Sequence, residues 1–159
     1  MEQMNMFSVG GRDRKALDTA RTMIETEQAS CAVIRDGEII HSADGRGIAP
    51  LLNLLDNSPE KLSGSLVVDR IIGRAAAMVL TCGRARAVYA LTISRAGLEY
   101  LESHGIGVAF DRRIDLISNR TGDGVCPLEH SVLDINDPQK GIAKLRDTIK
   151  QLAAGRPQS

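Results

Sequence analysis

The chain has 159 residues, long enough for one domain with a substantial core. Lys plus Arg and Asp plus Glu number 20 each, so the formal net charge is zero, which argues against a nucleic-acid binder with its usual basic surplus. Only 3% of residues are aromatic and there is no Trp, so base-stacking platforms are not expected and the core must come from Leu, Ile, Val, Ala and Met.

Residues 1–11 carry no basic region followed by an apolar run, and they read as a flexible N-terminal extension rather than a signal peptide. Residues 12–155 read as a single domain. Asp13 to about Gln28 places Leu17, Ala20, Met23 and Ile24 on one stripe, the pattern of an amphipathic helix. Cys31–Arg35 and Glu38–Ser42 flank Asp36-Gly37, a dipeptide suited to a two-residue hairpin turn. A glycine-containing loop, Ala43 to Gly47, precedes a short helix with Pro50 in its first turn. Asn57 to Gly64 reads as a loop.

The run from Ser65 to Cys82 is apolar almost all round. It reads as a buried helix ended by Gly83, with Asp69 near its start and Gly73 and Ala77 on a thin face packed on the sheet. Arg86–Ile93 reads as a strand, and Ser94 as the N-cap of a helix that Gly105 ends. Gly107–Phe110 and Ile114–Ile117 read as two short strands. Ser118–Val125 is a turn-rich loop, Pro127 opens one helical turn, and Asp137-Pro138 caps a last amphipathic helix with Ile142, Leu145, Ile149 and Leu152 on one face. A hairpin followed by alternating strands and helices implies an α/β, three-layer α/β/α domain with a mixed sheet, and ligands in such sheets bind beyond the carboxyl ends of the strands.

The three cysteines, Cys31, Cys82 and Cys126, are widely spaced and form no Cys-x-x-Cys pair, so a disulfide framework is not expected and a reducing cytoplasm is. No apolar run approaches the roughly 20 residues that span a bilayer, so no membrane partner is expected.

Asp69, Gly73, Ser94, Asn119, Arg120, Cys126 and Glu129 stand out as a candidate ligand site. Asp69 is an acid in an apolar run, costly to bury without a partner; an arginine such as Arg74, Arg84 or Arg120 would serve. Gly73 allows close approach. Ser94 ends a strand. Asn119 and Arg120 begin a polar, glycine-rich loop, and a guanidinium fork grips phosphate or carboxylate well. Cys126, Glu129 and His130 bring a thiol, a carboxylate and an imidazole within one short stretch. A Cys at a helix start is a candidate nucleophile, whereas Glu129 has the spacing of a first-turn acid.

The segments Gly73-Arg-Ala-Ala-Ala, Ala90-Leu-Thr-Ile-Ser, Asn119-Arg120 and Cys126-Pro-Leu-Glu129 resemble a small uncharacterised bacterial family, a domain of unknown function with a cytidine-deaminase-like fold, over roughly residues 12–135. In deaminases of that fold the start of the second helix supplies a His or Cys ligand and a Glu, and a Pro-Cys-x-x-Cys station follows the third strand. The matching positions are read here as Val68-Asp69-Arg70 and Ser94-Arg-Ala-Gly-Leu98, where no zinc ligand stands, so no metal and no cofactor are expected. The resemblance implies a pocket that accepts nucleobases or nucleotides. The leading expectation is a binding or sensory domain for a small anionic molecule such as a nucleotide, with a homo-oligomer as an open option. The alternatives are a zinc-independent enzyme using Cys126, and an accessory protein acting through a partner surface.

Overall fold

The computed structural model describes residues 3–5, 10–119 and 121–155, the first of these as backbone alone. Strand β1 (Gln3–Asn5) precedes helix α1 (Gly11–Glu25), β2 (Cys31–Arg35), β3 (Glu38–Ala43), α2 (Ala49–Asn57) and α3 (Pro59–Leu62). β4 (Leu66–Ile72), α4 (Arg74–Cys82), β5 (Ala87–Ser94), α5 (Arg95–Ser103) and β6 (Gly107–Ile114) alternate, and α6 (Pro127–Ser131) and α7 (Pro138–Ala153) close the chain. The sheet is mixed, in the order β1-β6-β5-β4-β2-β3. β4, β5 and β6 run parallel, β2 is antiparallel to both β4 and β3, and β1 is a three-residue antiparallel edge on β6.

Local chemistry explains the elements that were legible. Asp36 and Gly37 both adopt left-handed backbone (φ 52° and 81°), the twist a tight hairpin needs. Asp137 Oδ1 accepts from the main-chain N–H of Gln139 and Lys140 at 2.8 and 3.2 Å and so caps α7. Ser94 Oγ accepts from Gly97 N at 3.1 Å and caps α5.

The segment 65–82 is not one helix. Residues Leu66–Ile72 form a central strand, and the helix begins only at Arg74, with Gly73 as its extended N-cap. The reason is burial on both faces. Leu66 and Val68 pack with α1 residues Leu17, Ala20 and Ile24, while Val67 packs on the other side with α2, α4, α5 and α7. A strand covered on both faces loses the alternation that marks a strand and reads like a buried helix. Val67, Val68, Ile71 and Ile72 are β-branched, and that preference decides the outcome. Gly73 therefore does not lie with Ala77 on one helical face against the sheet. Ile114–Ile117 is not a separate strand either; β6 runs on through Asp111-Arg112-Arg113 to Ile114. Beyond it only an isolated bridge, Ser118 to Val125, closes the following loop.

Two hydrophobic clusters flank the sheet, one beneath α1 and a larger one beneath the remaining long helices. Among the described residues no helix is long and apolar enough to cross a membrane.

Candidate functional site

The carboxyl end of β4 opens into a cavity of about 550 Å³. Its walls are the β3–α2 loop (44–48), the turn from β4 into α4 with Gly73, Ala75 and Ala76, and the start of α6 with Cys126, Leu128 and Glu129. This is where a parallel sheet is expected to bind a ligand.

Asp69 lies in the cross-strand row Cys31, Asp69, Ala90, Phe110, so its side chain leaves the sheet on the α2/α4 side, into the cleft. It is only 7% exposed. Oδ1 accepts from Arg70 N at 2.7 Å. The Arg70 side chain, one residue on, leaves the opposite face of the strand. Its guanidinium donates to the Ile24 carbonyl at 2.9 Å and lies 3.7 Å from Glu27. Asp69 therefore has no ion-pair partner among the described residues. Burial pushes its carboxyl up to about 7, against the opposing pull of Arg70 and of main-chain N–H groups. The neighbouring Cys31 thiol is pushed up to about 12, by burial first and then by the charge of Asp69.

Glu129 caps a helix other than its own. Its two carboxylate oxygens accept from Arg74 N and Ala75 N, both at 2.8 Å, which satisfies the first free N–H groups of α4. Burial raises its carboxyl above the ordinary range, and the two N–H groups and Arg74 oppose that rise. Gly73 makes the arrangement possible. A Cβ there would stand 2.2 Å from Glu129 Oε1 and 2.5 Å from Ile117 Cδ1. The Arg74 guanidinium turns away from the cleft, donating to the carbonyls of Val132 and Ile135 at 2.9 and 2.6 Å and lying over the Tyr100 ring at 4.9 Å. It anchors the α6–α7 connection and does not pair with Asp69.

The structure thus brings Asp69, Gly73, Cys126 and Glu129 to one cleft. Ser94 and Asn119 do not line it. Ser94 is buried as a cap, and Asn119 folds onto its own loop, donating to Asp123 Oδ1 at 3.0 Å and accepting from Thr121 Oγ1 at 3.1 Å. Arg120 lies outside the described residues. His130 is exposed on α6 and does not line the cleft beside Cys126. Sequence reasoning missed Arg46, Asp44 and the loop that carries them. The signal was present, in an arginine set between two glycines, Gly45-Arg46-Gly47, just before a helix start. Ile48 at the N-cap of α2 supplies no side-chain bond, and Arg46 makes no ion pair among the described residues. No group of three metal-ligating side chains occurs among the described residues.

Comparison with known proteins places this geometry in a family. The sequence model of a domain of unknown function (DUF1893) matches residues 19–149. A crystal structure of a DUF1893 family protein (TM1506) from Thermotoga maritima superposes with a TM-score of 0.74 at 23% identity, covering 94% of this chain and 96% of that one. The two share a fold. No curated protein matches the chain.

Proposed function

The chain belongs to the DUF1893 family, a domain of unknown function, and we propose that it binds a small polar molecule of nucleotide size in the cleft between β4, α2, α4 and α6. The observation that carries this reading is Asp69: a carboxyl 7% exposed, without an ion-pair partner among the described residues, opening into a cavity of about 550 Å³. Such a group is costly to the fold unless something else completes it. The cavity falls within the usual range for small-ligand sites, roughly 300–1,000 Å³. Arg46, which forms no ion pair among the described residues, supplies the complementary end, suited to a phosphate or carboxylate.

We read the fold as cytidine-deaminase-like, with helices layered on both faces of β2–β6. Counted on the observed elements, the second helix begins at Ala49, and the third of those strands ends before Gly73. The two deaminase stations then fall at Gly47-Ile48-Ala49 and Gly73-Arg74-Ala75-Ala76, not at Val68–Arg70 and Ser94. Both border the cleft. They carry neither thiol nor imidazole, so the donor set does not fit catalytic zinc. In this reading the ancestral pocket persists as a binding site.

A Cys126 nucleophile is less well supported. Both oxygens of Glu129 are taken up by α4, and His130 is outside the cleft, which leaves the thiol without an evident base. The test is protection of Cys126. A panel of nucleoside monophosphates should include one that slows its modification by a small thiol reagent and raises the melting temperature. If no member of the panel does either, the nucleotide reading falls.

A further inference from the structure

We propose that Asp69 is the specificity-determining residue of the cleft, selecting ligands that present a cationic or N–H-donating nitrogen group. The inference rests on the binding reading above and adds which chemistry the buried end of the ligand carries.

Four observations converge on it. The strand row fixes the carboxyl toward the cleft. Arg70 leaves the other face of the strand for the Ile24 carbonyl and Glu27, so although it borders the cleft it forms no ion pair with Asp69. Arg74 is committed to the Val132 and Ile135 carbonyls. Glu129, the other buried acid of the cleft, already has its charge matched by two N–H donors of α4.

Among the described residues the remaining titratable groups form no ion pair with Asp69. Cys31, facing Asp69 from β2, is a neutral thiol held near 12. Cys126 from α6 and Asp44 from the β3–α2 loop carry no positive charge, and Glu27 beyond α1 is turned to Arg70. Arg46 borders the cleft from the β3–α2 loop and forms no ion pair with Asp69. A ligand nitrogen bearing N–H groups would give the carboxylate both a donor and a counter-charge. The ionised form, disfavoured in the empty cleft, then becomes the favoured one. An anionic group at the same place would meet repulsion above about pH 7, where the carboxyl is ionised.

The experiment uses the full chain and three ring probes of similar shape: benzamidine, benzyl alcohol and benzoate. Binding is read by calorimetry, and location by protection of Cys126 from a small thiol reagent. At pH 8, where Asp69 is ionised, benzamidine should bind in the cleft and benzoate should not. Benzamidine affinity should rise about tenfold per pH unit from pH 5 toward 7 and level off above, as one proton is released on binding. Asp69→Asn should weaken benzamidine at least about tenfold and abolish the pH dependence. If that variant does not fold, the wild-type pH profile alone decides. Equal benzamidine affinity for Asp69→Asn, a flat wild-type profile, or preference for benzoate would overturn the role of Asp69 while leaving the cleft a binding site. If none of the three probes protects Cys126, the binding reading itself fails, and this inference with it.

Discussion

Adding one methyl group at Gly73 should expose how the cleft is held. Gly73 has an extended backbone (φ −112°, ψ −168°), so Gly73→Ala pays no backbone strain. The cost is steric and electrostatic. The new Cβ would lie 2.2 Å from Glu129 Oε1 and 2.5 Å from its Cδ, so the carboxylate must leave its position. Overpacking alone typically costs about 1–3 kcal/mol. Displacing the carboxylate also frees Arg74 N and Ala75 N, and loss of such a cap costs about 0.5–2 kcal/mol. Together Gly73→Ala should destabilise by roughly 2–4 kcal/mol. Glu129→Ala should cost about 2 kcal/mol through the lost cap. It also removes the atoms the methyl group would strike, and the remaining obstacle, Ile117 Cδ1, is the movable end of a side chain. The double variant should therefore be only slightly less stable than Glu129→Ala, giving a coupling energy of about 2 kcal/mol. Urea unfolding followed by circular dichroism, with unchanged m-values, measures all three variants. If the two costs add to within about 0.5 kcal/mol, Glu129 is not the group that Gly73 makes room for.

Other outcomes follow from the same contacts. The Asp69 carboxyl is raised from 3.8 to about 7 in the folded chain, so its contribution to stability is present below about pH 4 and is lost as pH rises through 7. The loss is on the order of 4 kcal/mol at most, and Asp69→Asn should flatten the stability profile between pH 5 and 8. An unchanged profile in that variant would show that another group is responsible. Cys31, 1% exposed, should resist thiol reagents until global unfolding, whereas half-buried Cys126 should react in the native state; equal rates would contradict the placement of both. Asp137→Ala removes the one oxygen that accepts from two N–H groups at the start of α7 and should lower stability by about 1 kcal/mol, read by thermal denaturation, without affecting probe binding in the cleft.

The elements readable from sequence were those with local punctuation. Asp36-Gly37 marked the hairpin, Ser94 and Asp137 marked helix starts, and the stripes of α1 and α7 were plain because each exposes one face to water. β4 was not readable as a strand because α1 covers one of its faces and α4 the other, which leaves a continuous apolar run. β6 was cut short at Asp111 because a charged triplet looks like a loop. In the fold Asp111 is engaged by Arg21 at 3.0 Å and by the Tyr89 hydroxyl, so the charge is accommodated within the strand. The site was legible where a residue is chemically out of place in its surroundings, as Asp69 and Glu129 are. It was not legible for Ser94 and Asn119: the hydroxyl of Ser94 is spent on capping α5 and the amide of Asn119 on its own loop, which leaves neither for a ligand.

Native mass spectrometry of the full-length protein, purified without denaturation, tests the central claim most directly. The account predicts a single bound small molecule on the wild-type chain. That adduct should be lost from Arg46→Ala, at the cleft, and retained by Asn119→Ala, outside it. A wild-type protein that carries no adduct, or an adduct that Asn119→Ala loses as readily as Arg46→Ala, would contradict it.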